Sequence, residues 1–200
     1  MTLRLLFPAP RPALAVLLAA SVGLSGCVSI GAKAPASLLA LTPEATVPAG
    51  QGATGTLAKS VVVMEPAADA RVSVLRVPVQ IDASNVAYLK KTQWVERPAR
   101  QFQHLIAETL RAKGGHLVVE SDVNQWEQRL SGRLLAMGYD LPSRSAVVRF
   151  DAVKEAPGGR IETRRFEALV PNIDDDAQAI GPALNQAAND VARQVVDWLG

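Results

Sequence analysis

The chain has 200 residues, of which 21 are basic and 19 acidic, so its formal net charge is +2. Arg4 and Arg11 account for that excess, and from Cys27 onward 19 basic side chains balance 19 acidic ones. A balanced chain lacks the basic footprint of a protein that binds nucleic acid. The single cysteine excludes a disulfide within the chain.

The N-terminal segment is typical of a secretory signal. An apolar run over residues 13–24 follows the two arginines and is broken only by Ser21 and Gly23. About twelve residues are too few to cross a hydrocarbon core of ~30 Å as a helix, but they suit the apolar region of a signal peptide. We therefore predict a signal peptide over residues 1–26.

The motif "LSGC" at residues 24–27 resembles the bacterial lipobox. That resemblance implies transfer of a diacylglyceryl group to the thiol of Cys27, cleavage before it, and acylation of the new amine. Acyl chains that bury ~0.8 kcal/mol per CH₂ would hold the protein on a membrane. The alternative is an unmodified thiol in a secreted protein. Val28 replaces the Asp that favours inner-membrane retention in enterobacterial lipoproteins, which points to the outer membrane.

We expect residues 27–57 to form a lipidated N-terminus and a linker, and residues 58–200 to form one folded domain. The uncharged stretch "TVPAGQGATGT" (46–56) predicts a loop. Within the linker region, "SLLALTP" (37–43) is compatible with a short strand.

The first part of the domain predicts strands. The β-branched run "KSVVVMEP" (59–66) indicates a strand that ends at a proline. In "RVSVLRVPVQ" (71–80), we expect Pro78 to place the end of the strand at a sheet edge or in a loop. Residues 86–97 contain two short apolar clusters around charged residues, and we expect an irregular segment that pairs at the sheet edge.

Residues 98–113 predict a helix that begins at Pro98, which suits a first helical turn, and that ends at Gly114 and Gly115. A strand is expected at 116–121. The apolar face of the helix would consist of Phe102, Leu105, Ile106, Thr109 and Leu110.

The C-terminal part predicts an antiparallel meander over 129–141, 145–155 and 160–170, followed by a long helix. The helix is indicated by a stripe of apolar residues that repeats every three or four positions, and the acidic triplet 174–176 would cap its N-terminus. The predicted fold class is therefore α+β: an antiparallel or mixed β-sheet with two helices packed on one face. The other face would be free to meet a partner or a ligand.

Few residues suggest catalysis. His104 and His116 are the two histidines, and no H-x-x-x-H, C-x-x-C or G-x-S-x-G motif occurs. We favour a structural role for His104 because no nucleophile lies near it in sequence. The triplet 174–176 lacks the alternating ligand spacing of a calcium loop, so a helix cap is favoured over a cation site. We predict no enzyme activity, no metal and no cofactor apart from the lipid on Cys27.

Four side chains are candidates for contact with a partner or ligand. Trp94 lies among charges in "KKTQWVER", where it is either a core residue, which we favour, or an exposed anchor. Trp126 in "SDVNQWEQR" is a better candidate for partial exposure. Arg164 and Arg165 would contribute to a basic patch for lipid head groups or a partner, with a solvated strand face as the alternative.

In chain order, "SLLALTP", "VVVMEP", "RVPVQIDASNVAYLKKTQWVERPARQFQHLIAETL" and "GRLLAMGYD" resemble the ABC-type transport auxiliary lipoprotein family. The most specific part of the resemblance lies at 76–110. This family is usually encoded with Mce-domain proteins and with an ABC permease and ATPase. The resemblance therefore implies a non-enzymatic periplasmic lipoprotein in a system that moves lipids between the inner and outer membranes.

A small α+β domain is too small to enclose a whole phospholipid, and exposed acyl CH₂ groups cost ~0.8 kcal/mol each in water. We therefore expect partner contacts or self-association to complete an apolar path. Two other interpretations stay open. One is a structural lipoprotein that supports another envelope machine, such as lipopolysaccharide export or cell-wall synthesis. The other is a lipid-anchored hydrolase.

Overall fold

The structure is a computed structural model that describes residues 37–200. The predicted signal peptide and the predicted lipidation site Cys27 lie outside the described residues. Within residues 37–200, no helix is both long enough and apolar enough to cross a membrane.

The described fold is α+β, as the sequence predicts, and contains nine strands and two α-helices. The strands are β1 (Ser37–Leu39), β2 (Ser60–Val63), β3 (Ala67–Ala68), β4 (Arg76–Gln80), β5 (Val86–Trp94), β6 (Leu117–Val119), β7 (Gln128–Asp140), β8 (Ser145–Ala156) and β9 (Arg160–Val170). The helices are α1 (Pro98–Lys113) and α2 (Ala177–Leu199), and 3₁₀ turns occur at Leu57–Lys59 and Ala70–Val72.

Strand β7 organises the sheet, because both of its edges are paired along most of its length. One edge pairs antiparallel with β8, which pairs antiparallel with β9, so the predicted meander is confirmed. The other edge pairs in turn with β2, β3 and β4, all of them parallel to β7. Strand β6 adjoins β2, and β5 followed by β1 adjoins β4. The sheet is therefore mixed.

Both helices pack on the same face of this sheet. Phe150 in β8 and Phe166 in β9 are direct cross-strand partners, so their side chains share a face. The ring of Phe102 in α1 meets Phe150 edge-on with ring centroids 5.3 Å apart, and Trp198 in α2 meets Phe166 at 5.6 Å. The core lies between this face and the two helices.

Helix α2 begins where the acidic triplet predicts. The carboxylate of Asp176 accepts hydrogen bonds from the backbone N–H groups of Gln178 and Ala179, which would otherwise have no intrahelical partner. The helix starts at Ala177 and contains Pro182. The apolar stripe is fully buried at Ile180, Leu184, Ala187, Val191 and Val195.

One expectation for the first half of the domain is wrong, and a second is only partly right. Pro78 does not lie at an edge or in a loop, because β4 runs between β5 and β7. A register shift lies between Arg76 and Pro78, and prolines inside sheets are usually found at such bulges. Residues 86–97 are more regular than expected, because Val86–Trp94 forms the nine-residue strand β5. Among the described residues, β1 pairs with residues 92–94 alone, so the rest of β5 lies at the sheet edge as predicted.

Residues 40–47, which we call the N-terminal strap, run from β1 across both helices. Backbone N–H groups of the strap donate to side-chain oxygens on α1 and α2, so this part of the predicted linker is bonded to the fold. The donor and acceptor pairs are Leu41 to Gln101 (2.9 Å), Thr42 to Asn185 (2.8 Å), Glu44 to Asn189 (2.9 Å) and Val47 to Glu108 (2.9 Å).

Candidate functional site

Strands β8 and β9 present a second row of side chains on the face away from the helices, which we call the open face. Side chains alternate between the two faces of a strand, so Val147, Arg149 and Asp151 of β8 and Glu167 and Leu169 of β9 lie opposite the core residues. Leu169, near the end of the edge strand β9, is 50% exposed. This face of the described fold is therefore available for contact.

A groove of about 550 Å³ lies on the open face where β4, β7 and β8 meet. Its depth comes from small residues on β7, since Ala136 and Gly138 are the register partners of Arg149 and Val147. Val147 and Leu169 form an apolar wall. A concave, partly apolar site with a few polar groups is the usual form of a ligand or partner site.

Arg71, in the 3₁₀ turn beside β4, supplies a cation to this groove. Its Nη1 donates to Oε1 of Gln80 at 2.6 Å and its Nη2 to the carbonyl oxygen of Leu135 at 3.1 Å. The amide of Gln80 is held in that orientation because its Nε2 donates to the carbonyl oxygen of Asp82 at 2.6 Å. Both acceptors of Arg71 are neutral, and within residues 37–200 it makes no ion pair, so its charge is not compensated by a carboxylate.

Two carboxylates, Asp82 and Asp140, line the groove and accept hydrogen bonds within their own turns, Asp140 from the backbone N–H of Ser143 at 3.0 Å. Asp82 accepts from the backbone N–H groups of Ser84 (2.8 Å) and Asn85 (2.9 Å) and from the Asn85 side chain (2.8 Å). The side-chain hydrogen bond from Asn85 is the main reason that the pKa of Asp82 is lowered, so Asp82 stays ionised as part of its turn. Arg149 is paired with the carboxylate of Glu167.

The groove therefore combines an apolar wall with the guanidinium groups of Arg71 and Arg149 and the carboxylates of Asp82 and Asp140. A guanidinium presents several N–H donors in a plane and pairs well with phosphate and carboxylate oxygens. The arrangement offers hydrogen-bonding groups of both charges beside an apolar surface.

The two tryptophans singled out in the sequence lie elsewhere. Trp94 is 2% exposed and belongs to the core, where its Nε1 has no hydrogen-bond partner among the described residues. Trp126 is half-buried in the segment before β7. Neither lines the groove. A role in partner or ligand contact stays a prediction for both.

Arg164 and Arg165 point to opposite faces of β9. Arg165 lies on the open face and makes two hydrogen bonds to the carboxylate of Asp151, at 2.6 and 2.7 Å. These bonds lower the pKa of Asp151 and raise that of Arg165. Arg164 lies on the helix side, with its guanidinium carbon 5.2 Å from the ring centroid of Phe166. The two arginines therefore belong to different surfaces, and their contact role stays a prediction.

The histidines make structural contacts away from the groove. His104 contacts the carboxylate of Glu120 through Nδ1, and Arg111 donates to the same carboxylate at 2.7 Å. Nε2 of His116 lies 3.0 Å from the carbonyl oxygen of Gly200. In the part of the chain that the structure describes, no group of three or more His, Cys, Asp or Glu side chains is arranged to hold a metal ion.

Sequence reasoning missed Arg71, Gly138 and Leu169 as residues of one site. Reading residues 71–80 as a strand hid Arg71, which lies in a 3₁₀ turn before β4. Gly138 carried a usable signal, because a glycine inside a strand often marks the close approach of another backbone. Leu169 carried no such signal in the sequence, because its exposure depends on which other elements of the fold cover the sheet.

Comparison with known proteins gives a family and a fold. The family model described as ABC-type transport auxiliary lipoprotein component matches residues 38–196. No protein among curated sequences matches the chain. A crystal structure from Xanthomonas campestris, of a protein matching the DUF330 family model, superposes with a TM-score of 0.70 at 16% identity, covering 82% of this chain and 94% of that one.

Two further crystal structures are similar. One, of a protein without an assigned function, has a TM-score of 0.64 at 12% identity and covers 72% of this chain and 95% of its own. The other, the PelC dodecamer of Paraburkholderia phytofirmans, has a TM-score of 0.43 at 13% identity and covers 73% and 91%. At these identities, the similarity to the Xanthomonas campestris structure and to the structure without an assigned function shows a shared fold.

Proposed function

Because this chain belongs to the ABC-type transport auxiliary lipoprotein component family, we propose that it is a non-enzymatic, periplasm-facing subunit of an Mce-type ABC system. That system would move lipids between the inner and outer membranes, and Cys27 would carry the lipid that anchors this subunit in the outer membrane. The family match over residues 38–196, nearly the whole described domain, is the observation that carries the proposal.

The open face is the surface that we assign to the transport partners. The helices occupy the other face of the sheet, and the groove around Arg71 offers an apolar wall and a cation in one place. An Mce-domain protein or a lipid head group would contact both the apolar wall and the cation. Partner contacts or self-association would then complete the apolar path that this domain is too small to form alone.

The proposed anchor keeps the domain close to its membrane. Nine residues, 28–36, separate Cys27 from β1, and at ~3.3 Å per residue they reach at most about 30 Å. The N-terminal strap adds no reach, because it is bonded to the helices. The start of β1 thus stays within about 30 Å of the lipid surface.

The test is a pull-down of the native, Cys27-lipidated protein from detergent-solubilised envelopes, read by mass spectrometry. We expect an Mce-domain protein, its ABC permease and ATPase, and co-purifying phospholipid. Recovery of lipopolysaccharide-export or peptidoglycan-synthesis proteins instead would replace the transport role with support of another envelope machine. Loss of function in His104→Ala or His116→Ala, with the complex still assembled, would contradict the non-enzymatic assignment.

A further inference from the structure

Lys90 and Lys91 protrude from the sheet at a break in the pairing of β5. The register between β4 and β5 passes from Arg76↔Gln93 directly to Pro78↔Tyr88, so β5 has a bulge that contains both lysines. Lys91 has a φ of 59°, which is uncommon for a residue with a side chain. Both lysines are exposed.

The charge of this bulge is not compensated by acidic residues. Neither lysine makes an ion pair within residues 37–200, and the same holds for Arg76, whose guanidinium carbon lies 4.4 Å from the ring centroid of Tyr88. The sequence contains no Asp or Glu in 83–95. It also contains none before Glu44, so the residues outside the described part cannot supply a carboxylate side chain to these cations.

Exposed aliphatic side chains lie beside the bulge. Leu38 in β1 and Arg76 in β4 are both register partners of Gln93, so the three side chains form a row on one face of the sheet. Leu38 is 55% exposed and Leu75 is 41% exposed. We call Leu38, Leu75, Arg76, Lys90 and Lys91 the basic edge.

The basic edge is also where the chain enters the described structure. Ser37 pairs with Thr92, which directly follows Lys91. If Cys27 carries a lipid, as the proposed function requires, the membrane surface lies no more than about 30 Å from this point. The part of the domain that comes closest after the anchor along the chain is therefore the part with uncompensated cations and exposed aliphatic side chains.

We propose that the basic edge docks on the surface of a membrane that contains anionic phospholipids, and that it thereby orients the domain relative to that surface. Basic residues next to a lipid anchor are attracted to anionic head groups, and aliphatic side chains at the same level bury into the interface. The acyl chains hold the protein on the membrane. The basic edge determines which side of the domain faces the lipid.

The test measures the reactivity of individual lysines in the lipidated protein. The protein is reconstituted on vesicles of phosphatidylcholine, either alone or mixed in equal parts with phosphatidylglycerol, and is treated with a water-soluble amine-reactive reagent. Lys59, whose side chain is 75% exposed, and Lys113 serve as internal controls. Peptide mass spectrometry then gives the extent of modification at each position.

We expect modification of Lys90 and Lys91 to fall several-fold on the anionic vesicles and to recover in high salt, while Lys59 and Lys113 stay unchanged in both vesicles. Recovery in salt follows because screening weakens attraction between exposed charges. Equal modification of Lys90 and Lys91 on the two kinds of vesicle would overturn the docking proposal while leaving the anchor intact. A protein that does not float with either vesicle would refute the Cys27 anchor and the docking that depends on it.

Discussion

Gly138 in β7 and Pro78 in β4 approach so closely that a β-carbon on Gly138 would lie 2.3 Å from the carbonyl oxygen of Pro78. The ring of Pro78 is also close, with its Cγ 2.8 Å from that position. A glycine at residue 138 therefore allows a proline to lie inside the sheet. The same pair also forms part of the groove on the open face.

The first prediction concerns this contact. Gly138→Ala should lower the free energy of unfolding by about 1–3 kcal/mol, because the new methyl group meets backbone that cannot move without shifting β4. Chemical denaturation measures the change. Gly52→Ala is the matched control, since no atom lies within 4 Å of its β-carbon position, and it should leave stability unchanged. Equal stability of Gly138→Ala and the wild type would contradict the close approach.

The second prediction concerns the N-terminal strap. Asn189 is 2% exposed, and its side chain accepts from the backbone N–H of Glu44 at 2.9 Å and donates to the carbonyl oxygen of Thr42 at 3.0 Å. Asn189→Ala should cost roughly 2 kcal/mol, since two strap hydrogen bonds are lost and their backbone partners must find water. Hydrogen exchange should accelerate at Glu44.

The control for the strap is Asn124→Ala, a change at an exposed loop position. It should alter neither stability nor exchange in residues 40–47. If Asn189→Ala destabilises the domain while exchange at Glu44 stays slow, the asparagine acts within α2 and does not hold the strap.

The third prediction concerns pH. Arg165 lowers the pKa of Asp151 in the folded state below its ordinary value of 3.8. The carboxylate therefore stabilises the fold at pH values above the pKa that Asp151 has in the unfolded chain. This contribution is lost as the pH falls through the lower pKa that Asp151 has in the folded state. The stability difference between wild type and Asp151→Asn should be constant around neutral pH and should shrink below about pH 4.

Urea denaturation at several pH values measures that difference. It should be small, because the side chain of Asp151 is 39% exposed and surface ion pairs are screened by solvent. Added salt at neutral pH should reduce it further. A difference that grows as the pH falls would be incompatible with a lowered pKa.

The fourth prediction concerns the open face. Leu169→Asp should abolish co-purification of the transport partners, because it places a charge on the apolar wall of the groove. The melting temperature should change little, since Leu169 is half exposed. Leu57→Asp is the matched control, at a leucine that is 40% exposed outside the groove, and it should retain the partners. Loss of partners in both variants would point to a general effect of the added charge.

The fifth prediction concerns the anchor. Cys27→Ser removes the thiol that would receive the diacylglyceryl group, so the protein should no longer be processed at residue 27. Metabolic labelling with a fatty acid should mark the wild type and not the variant. Labelling of the variant at an equal level would place the lipid on another residue or exclude the lipobox assignment.

Periodic elements were predictable from sequence because their signals are local. The apolar stripe of α2 repeats over five turns, and Asp176 caps it as the acidic triplet suggests. Helix α1 runs over the predicted residues 98–113, bounded by Pro98 and Gly114. The three strands β7, β8 and β9 follow from alternation and from a glycine turn. Each of these features depends on residues close together in the chain.

Long-range relationships were not predictable. Pro78 indicates an edge strand unless Gly138, sixty residues later, is known to lie opposite it. The strap, "ALTPEATV", contains a proline and no sustained apolar period, and it is ordered by side chains as distant as Asn185 and Asn189. The groove likewise joins Arg71 to Leu169. A single sequence shows both residues of such a contact but does not show that they meet in the fold.

The strap also determines how mechanical load would enter the domain. A pull on the proposed anchor would reach β1 first and then the hydrogen bonds that join the strap to α1 and α2. Several bonds spaced along residues 41–47 would resist in sequence, and the force would pass into the helices. Strand β1 pairs with β5, so part of the load would also enter the sheet. Such a load would therefore be shared between one edge of the sheet and both helices.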